Sequence, residues 1–276
     1  MNSKKKLTEQ SKLIGEHPKS GLFFDWFKCE DTPITANKKH RKLTNKGINS
    51  DTLVEHLSKW IIKHHATKAR MIRLERKKKI LDKHGFSQYI EGKVPFPIKS
   101  EKTQKGNLGE IILAEYLTET SGLEMLVYKL RYNPNVEQSM KGDDLLLFEK
   151  QNIQNRVIMG EAKFRATKSK KALDDIVESL SNKNLPISLT FVSDRLEEMG
   201  DENLADEIDD LITNLHAQKT PITYVGFYHS EASAYKTIEK NLNSNNKNLV
   251  IVSYGEDNPS QLIKNSFNEA LKMVME

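Results

Sequence analysis

The chain has a single cysteine, Cys29, in 276 residues. An internal disulfide needs two cysteines and a cysteine-based zinc centre needs more, so both are excluded. No apolar run approaches the ~20 residues that a membrane-crossing helix requires. The opening residues, with Lys4, Lys5 and Lys6, lack the apolar stretch of a secretory signal. The expected compartment is therefore a reducing cytoplasm, with no membrane partner. Aromatics are also scarce, at 7%. Phe23, Phe24, Trp26, Phe27 and Trp60 read as core or interface residues rather than platforms for stacked bases. No internal repeat is visible.

Charge, by contrast, is plentiful and unevenly placed. Residues 1–105 carry 25 Lys+Arg against 11 Asp+Glu, a balance of +14, while the remainder carries 18 against 27, or −9. A basic front half suits a polyanion and an acidic back half suits carboxylate chemistry, although lysine-rich helices are also simply solvated. Residues 1–104 are expected to form a basic, mainly helical region that binds DNA, a partner, or both. Within it, Lys38, Lys39, His40, Arg41 and Lys42 read as an exposed basic loop. Asp51 is expected to cap one long helix from Leu53 to Lys83, ended by Gly85. His64 and His65 lie on that helix with no carboxylate pattern beside them, which argues against zinc. Val94-Pro95-Phe96-Pro97 reads as a linker.

The second region, 105–276, has a different rhythm. A helix is expected from about Lys105 to Thr120, then strands at Met125–Tyr132, Asp144–Phe148 and Arg156–Phe164. A helix from Ser169 to Leu180 follows. Pro186–Gln218 reads as helical, although Ile187–Val192 also fits a strand. Strands at Thr223–Tyr228 and Leu249–Tyr254 each precede an amphipathic helix. Short strands alternating with helices imply an α/β sheet covered on both faces.

Three Asp/Glu-x-Lys matches occur: Glu75/Lys77, Glu91/Lys93 and Glu161/Lys163. Only the third lies in an apolar strand, Val157-Ile158-Met159-Gly160-Glu161-Ala162-Lys163-Phe164. Residues two apart on a strand share a face, so Glu161 and Lys163 align with Val157 and Met159. Charges on a core-facing row are costly unless they are partnered or bind something. An antiparallel pairing with the strand after Gly142-Asp143-Asp144 carries an aspartate beside Glu161. Asp144 directly precedes the apolar run Leu145–Phe148, and Asp143 is its rival. Two carboxylates and an amine at a strand end suit Mg²⁺, or Mn²⁺, with open positions for water and phosphate oxygens. Such an ion polarises a phosphate and acidifies a bound water. Lys163 orients or deprotonates that water, or neutralises charge on phosphorus; a lysine beside a cation in a dry site titrates low. Glu110 shares a helix face with Leu113, Ala114 and Leu117, so it binds the same metal, pairs with a structural basic residue, or favours its helix N-terminus electrostatically. Arg165, Lys168, Lys170 and Lys171 follow the active strand and either hold a nucleic-acid backbone or form a solvated face. The competing reading of the whole group is a structural salt bridge.

Glu110, Gly142-Asp143-Asp144 and Glu161-Ala162-Lys163, in that order on helix, strand and strand, resemble the PD-(D/E)xK nuclease superfamily. The usual proline is absent: Asp143 stands in its place. The resemblance implies an αβββαβ core, with catalytic Asp144, Glu161 and Lys163 and metal ligands Glu110, Asp144 and Glu161. More narrowly, residues 105–180 resemble the HamA family, nuclease subunits of bacterial Hachiman anti-phage systems. That implies DNA cleavage and a HamB-type helicase partner that restrains the nuclease. A nuclease-derived binding module without cleavage, or a stand-alone restriction-type endonuclease, are the other functions considered.

Overall fold

In the computed structural model the residues described are 7–32, 35, 38–83, 92–181 and 186–275. Helices α1 (Glu9–Ile14) and α2 (Leu22–Trp26) precede strands β1 (Phe27–Thr32) and β2 (His40–Asn45). Helices α3 (Ser50–His65), α4 (Lys68–Lys83) and α5 (Glu101–Ser121) follow, then a short 3₁₀ turn, Lys129–Tyr132. Next come β3 (Leu145–Phe148), β4 (Val157–Phe164), α6 (Lys170–Ser179), α7 (Leu189–Glu198) and α8 (Glu202–His216). β5 (Ile222–Glu231), α9 (Ala234–Asn241), β6 (Leu249–Glu256) and α10 (Pro259–Met275) end the order.

By contacts the chain divides into two compact units. The first comprises Met1–Gly47, Ile112–Val127 and Gly142–Pro259 and holds a six-stranded sheet in the order β1-β2-β6-β5-β4-β3. Its middle is parallel and both outer pairs are antiparallel. Both faces are covered, as alternation of strands and helices requires. A side chain at Gly226 would run into Ile176 of α6, and one at Gly160 would press on Leu113 of α5. In parallel pairs the partnered residues point the same way, so Glu161, opposite Gly226, lies on the α6 face.

The second unit comprises Ile48–Ile111, Tyr128–Lys141 and Ser260–Glu276. Asn49, rather than Asp51, caps α3, its side chain accepting from Thr52 N at 3.0 Å. The single helix expected over Leu53–Lys83 is two helices, because Ala66 is extended and Thr67 starts a new cap with its hydroxyl on Arg70 N. The helix end placed at Gly85 lies outside the described residues. Val94–Pro97 is buried rather than a free linker; Phe96 packs edge-on against His65 and Phe267. His65 is itself buried, its two ring nitrogens bonded to Ile61 O and to Asn107.

Two further expectations need correction. Met125–Tyr132 is not a strand. Only Glu124 bridges Phe148, after which the chain bends away and Lys129–Tyr132 form the 3₁₀ turn, with Val127 and Leu130 buried. The αβββαβ order is therefore not reproduced here, and the coarser α/β class stands. The basic run at residues 38–42 is not an exposed loop either. His40, Arg41 and Lys42 belong to β2, and Arg41 is only 1% exposed. β1 and β2 thus put sheet within a stretch expected to be mainly helical.

Candidate active site

β3 and β4 pair antiparallel with Leu145 opposite Gly160 and Phe148 opposite Val157. One more residue along each strand brings Asp144 level with Glu161. The Asp144 side chain then accepts a hydrogen bond from Ala162 N at 2.9 Å, which holds it between Glu161 and Lys163. Lys163 Nζ bonds Glu161 Oε1. The Glu161 side chain is 12% exposed and that of Lys163 30%. The inner half of β4 is fully buried and its outer half half-buried, so the charged pair sits where the strand leaves the core.

Burial works to lower the Lys163 pKa. Its bond to Glu161 and the charges of Glu161 and Asp144 outweigh that, leaving it above the ordinary lysine value. The downward shift anticipated for a lysine beside a cation is therefore not what its protein neighbours produce.

The rivalry between the two aspartates has a geometric answer. Asp143 is buried and engaged with Ser188: its backbone N–H donates to Ser188 Oγ and its carboxylate accepts from Ser188 N, both at 2.8 Å. Gly142 permits this approach. Its φ is +107°, and a Cβ there would stand 2.5 Å from Ser188 Oγ. Asp143 thus anchors the loop to the start of α7, and Asp144 is the one delivered to β4. Ser188 was not foreseen, since nothing in the sequence links two positions 45 residues apart.

Glu110 belongs to the second compact unit. There it makes an ion pair with Lys129 at 3.5 Å, both side chains largely buried. The basic residues after β4 are mixed. Ser169 caps α6 through Ala172 N, Lys168 reaches Glu231 at 3.6 Å, and Lys170 pairs with Asp174 at 2.5 Å. Beside Lys163 on β5, the Tyr228 hydroxyl accepts from Ser169 N, which ties the start of α6 to the sheet.

Among the described residues no group of three or more His, Cys, Asp or Glu stands close enough to hold a metal. Asp144 and Glu161 nevertheless fit a hard divalent ion of the Mg²⁺ kind, which keeps several waters and takes only one or two carboxylates. They do not form an all-protein cage.

These features define an α/β protein whose mixed sheet gathers two carboxylates and an amine where its second-last strand leaves the core. The family model described as HamA matches residues 21–270, and the chain belongs to that family. It is similar to the Hachiman protein HamA of Bacillus cereus, with 40% identity over 271 residues that cover 98% of each chain.

Proposed function

We propose that this protein is a Mg²⁺- or Mn²⁺-dependent DNA nuclease, the effector of an anti-phage defence system in which a HamB-type helicase partner restrains it. The defence role follows from membership of the family to which the Hachiman protein belongs. The chemistry rests on one observation: the β3–β4 register delivers Asp144 to Glu161 and Lys163 in a half-buried cluster. In this reading Asp144 and Glu161 hold the ion, which when bound supplies a polarised phosphate and an acidified water. Glu110 is proposed as a further ligand. Lys163 places an ammonium on the same strand face, where charge develops on the phosphate. Ile176 and Ile251 crowd Gly226, the β5 residue opposite Glu161, and an apolar neighbour of that kind strengthens nearby charge interactions.

The test is cleavage of DNA by the purified protein with Mg²⁺, alone and with a HamB-type helicase. Glu161→Gln, Asp144→Asn and Lys163→Ala should each lower the rate about 10²–10³-fold while the fold is kept. Glu110→Ala asks whether the fourth residue belongs. Intact protein that cuts no nucleic acid, beside a Lys163→Ala protein that defends cells as well as the parent, rejects the reading. The second reading, a binding module without cleavage, draws on the Glu161–Lys163 ion pair, which satisfies both charges without substrate. A module of that kind shows no Mg²⁺ binding that is sensitive to Glu161→Gln.

A further inference from the structure

Helix α4 differs from the other exposed helices in how it treats charge. On four other helices a lysine is matched to a carboxylate one turn away: Glu9–Lys12, Glu55–Lys59, Glu101–Lys105 and Lys170–Asp174. Over its 16 residues α4 carries eight cations, Lys68, Arg70, Arg73, Arg76, Lys77, Lys78, Lys79 and Lys83, against Glu75 and Asp82. Its Glu75–Lys79 pair is 2.8 Å long. The less exposed side is narrow, formed by Met71, Leu74, Lys78 and Leu81 at spacings of three, four and three. Arg70, Arg73, Arg76 and Lys77 are all exposed on the remaining surface. Cations three and four apart on a helix repel one another, so this arrangement costs helix stability. Burial of its few apolar residues does not call for it.

We infer that α4 is a docking surface for the phosphodiester backbone of nucleic acid. The choice of occupant rests on the nuclease reading above, and charge complementarity carries it. A polyanion relieves the repulsion along the helix, and release of condensed counterions supplies the binding free energy. Contacts of this kind fix position along a strand and carry no base recognition, so the grip is independent of sequence. A row of arginines and lysines on one helix keeps the protein on DNA between cuts, whatever the sequence that is being cut.

The test measures binding and not cleavage, so it stays informative if the nuclease reading fails. The full-length Glu161→Gln protein is titrated against two fluorescein-labelled 30-base-pair duplexes of unrelated sequence, by anisotropy, from 50 to 200 mM NaCl. Arg70→Gln, Arg73→Gln, Arg76→Gln and Lys77→Gln are then combined, with circular dichroism to confirm that the helix persists. Each lost phosphate contact removes about 0.9 from the slope of log affinity against log salt. The fourfold variant should lose about 3 to 4 from that slope, bind more than ~10-fold more weakly at 50 mM, and do so equally on both duplexes. A control that removes three already matched lysines, Lys12→Gln, Lys59→Gln and Lys105→Gln, should leave the slope in place. An unchanged slope in the fourfold variant overturns the inference. So does intact DNA binding in a variant that has lost self-association by sedimentation, which assigns the helix to an acidic surface of a second copy.

Discussion

The sheet holds two clusters of buried charge at opposite ends, and they are built on opposite principles. In the β1–β2 hairpin, Arg41 is 1% exposed and every donor of its guanidinium is used. Nε and Nη2 grip Asp31, Nη2 also meets Ser11, and Nη1 reaches Gly15 O and the Tyr116 hydroxyl. Burial pushes the Asp31 pKa up, but the Arg41 bonds and charge outweigh it and hold it below the usual range. No donor of Arg41 is left for a ligand. In the β3–β4 hairpin, two carboxylates share one ammonium and one backbone N–H, and the cluster opens at the strand end. A saturated cluster serves the fold. A carboxylate-rich cluster half in water serves chemistry, because its remaining oxygens are available.

The largest effect that tests this contrast is on stability. Arg41→Met leaves Asp31 buried without its cation and should cost about 3–5 kcal/mol in chemical denaturation. Glu161→Gln keeps the shape of a largely buried side chain, removes a charge that Asp144 crowds, and should stay within about 1 kcal/mol of the parent. Equal costs at the two places would mean that both clusters are structural, and the nuclease reading would lose its main support.

A smaller effect separates how the two clusters are held. Arg41 is fixed by its own bonds, whereas Asp144 depends on a loop anchored from outside. Ser188→Ala should cost about 1 kcal/mol by removing the acceptor of Asp143 N–H. Gly142→Ala should cost about 1–3 kcal/mol, since it combines a positive φ with a Cβ that meets Ser188 Oγ. In the double variant the collision is gone and only the φ strain remains, so the two costs should add to less than their sum. Cleavage by Gly142→Ala protein should fall further than its stability does, because Asp144 moves with the loop.

What the sequence reveals of these two clusters differs for a physical reason. The β3–β4 site is local. Two apolar strands, a polar turn between them and a charged pair at period two suffice to place Asp144 beside Glu161. Helix α6 and strands β5 and β6 are legible in the same way, from periodicity, whereas the helical reading of Pro186–Gln218 does not show that it is two helices, α7 and α8. Arg41 is not. A run of Lys, His and Arg looks solvated until Asp31, Ser11, Gly15 and Tyr116 are gathered around it, and those partners lie 10 to 75 residues away. The segment after Glu124 misleads for a related reason, since Leu126-Val127-Tyr128 favours a strand intrinsically but leaves the sheet after a single bridge. Asp143 and Asp144 cannot be told apart until Ser188 is seen.

The smallest effect concerns a group that belongs to neither cluster. His229 lies on β5 beside Phe164 at the carboxyl end of β4, stacked on Tyr254 at 4.7 Å and edge-on to Phe164. Neither of its ring nitrogens has a hydrogen-bond partner among the described residues, and burial lowers its pKa to about 3. The unfolded chain takes up a proton there below about pH 6.5 and the folded protein does not. Stability contributed by the neutral ring is therefore full above pH 6.5 and is lost as the pH falls toward 3, at about 1.4 kcal/mol per pH unit. The Asp31 contribution is lost only at lower pH, through its depressed folded pKa, so the range above pH 4 is free of it. Histidines 65 and 40, lowered to about 3 and about 4, share the slope. His229→Phe fits the aromatic shell and should remove one group's part, gaining about 1 kcal/mol at pH 5.8 relative to its difference at pH 7.5. Denaturant midpoints at the two pH values measure this. An unchanged pH dependence would mean that water reaches the imidazole, and that the carboxyl end of β4, where Lys163 sits, is wetter on that face than the packing of Phe164, His229 and Tyr254 implies.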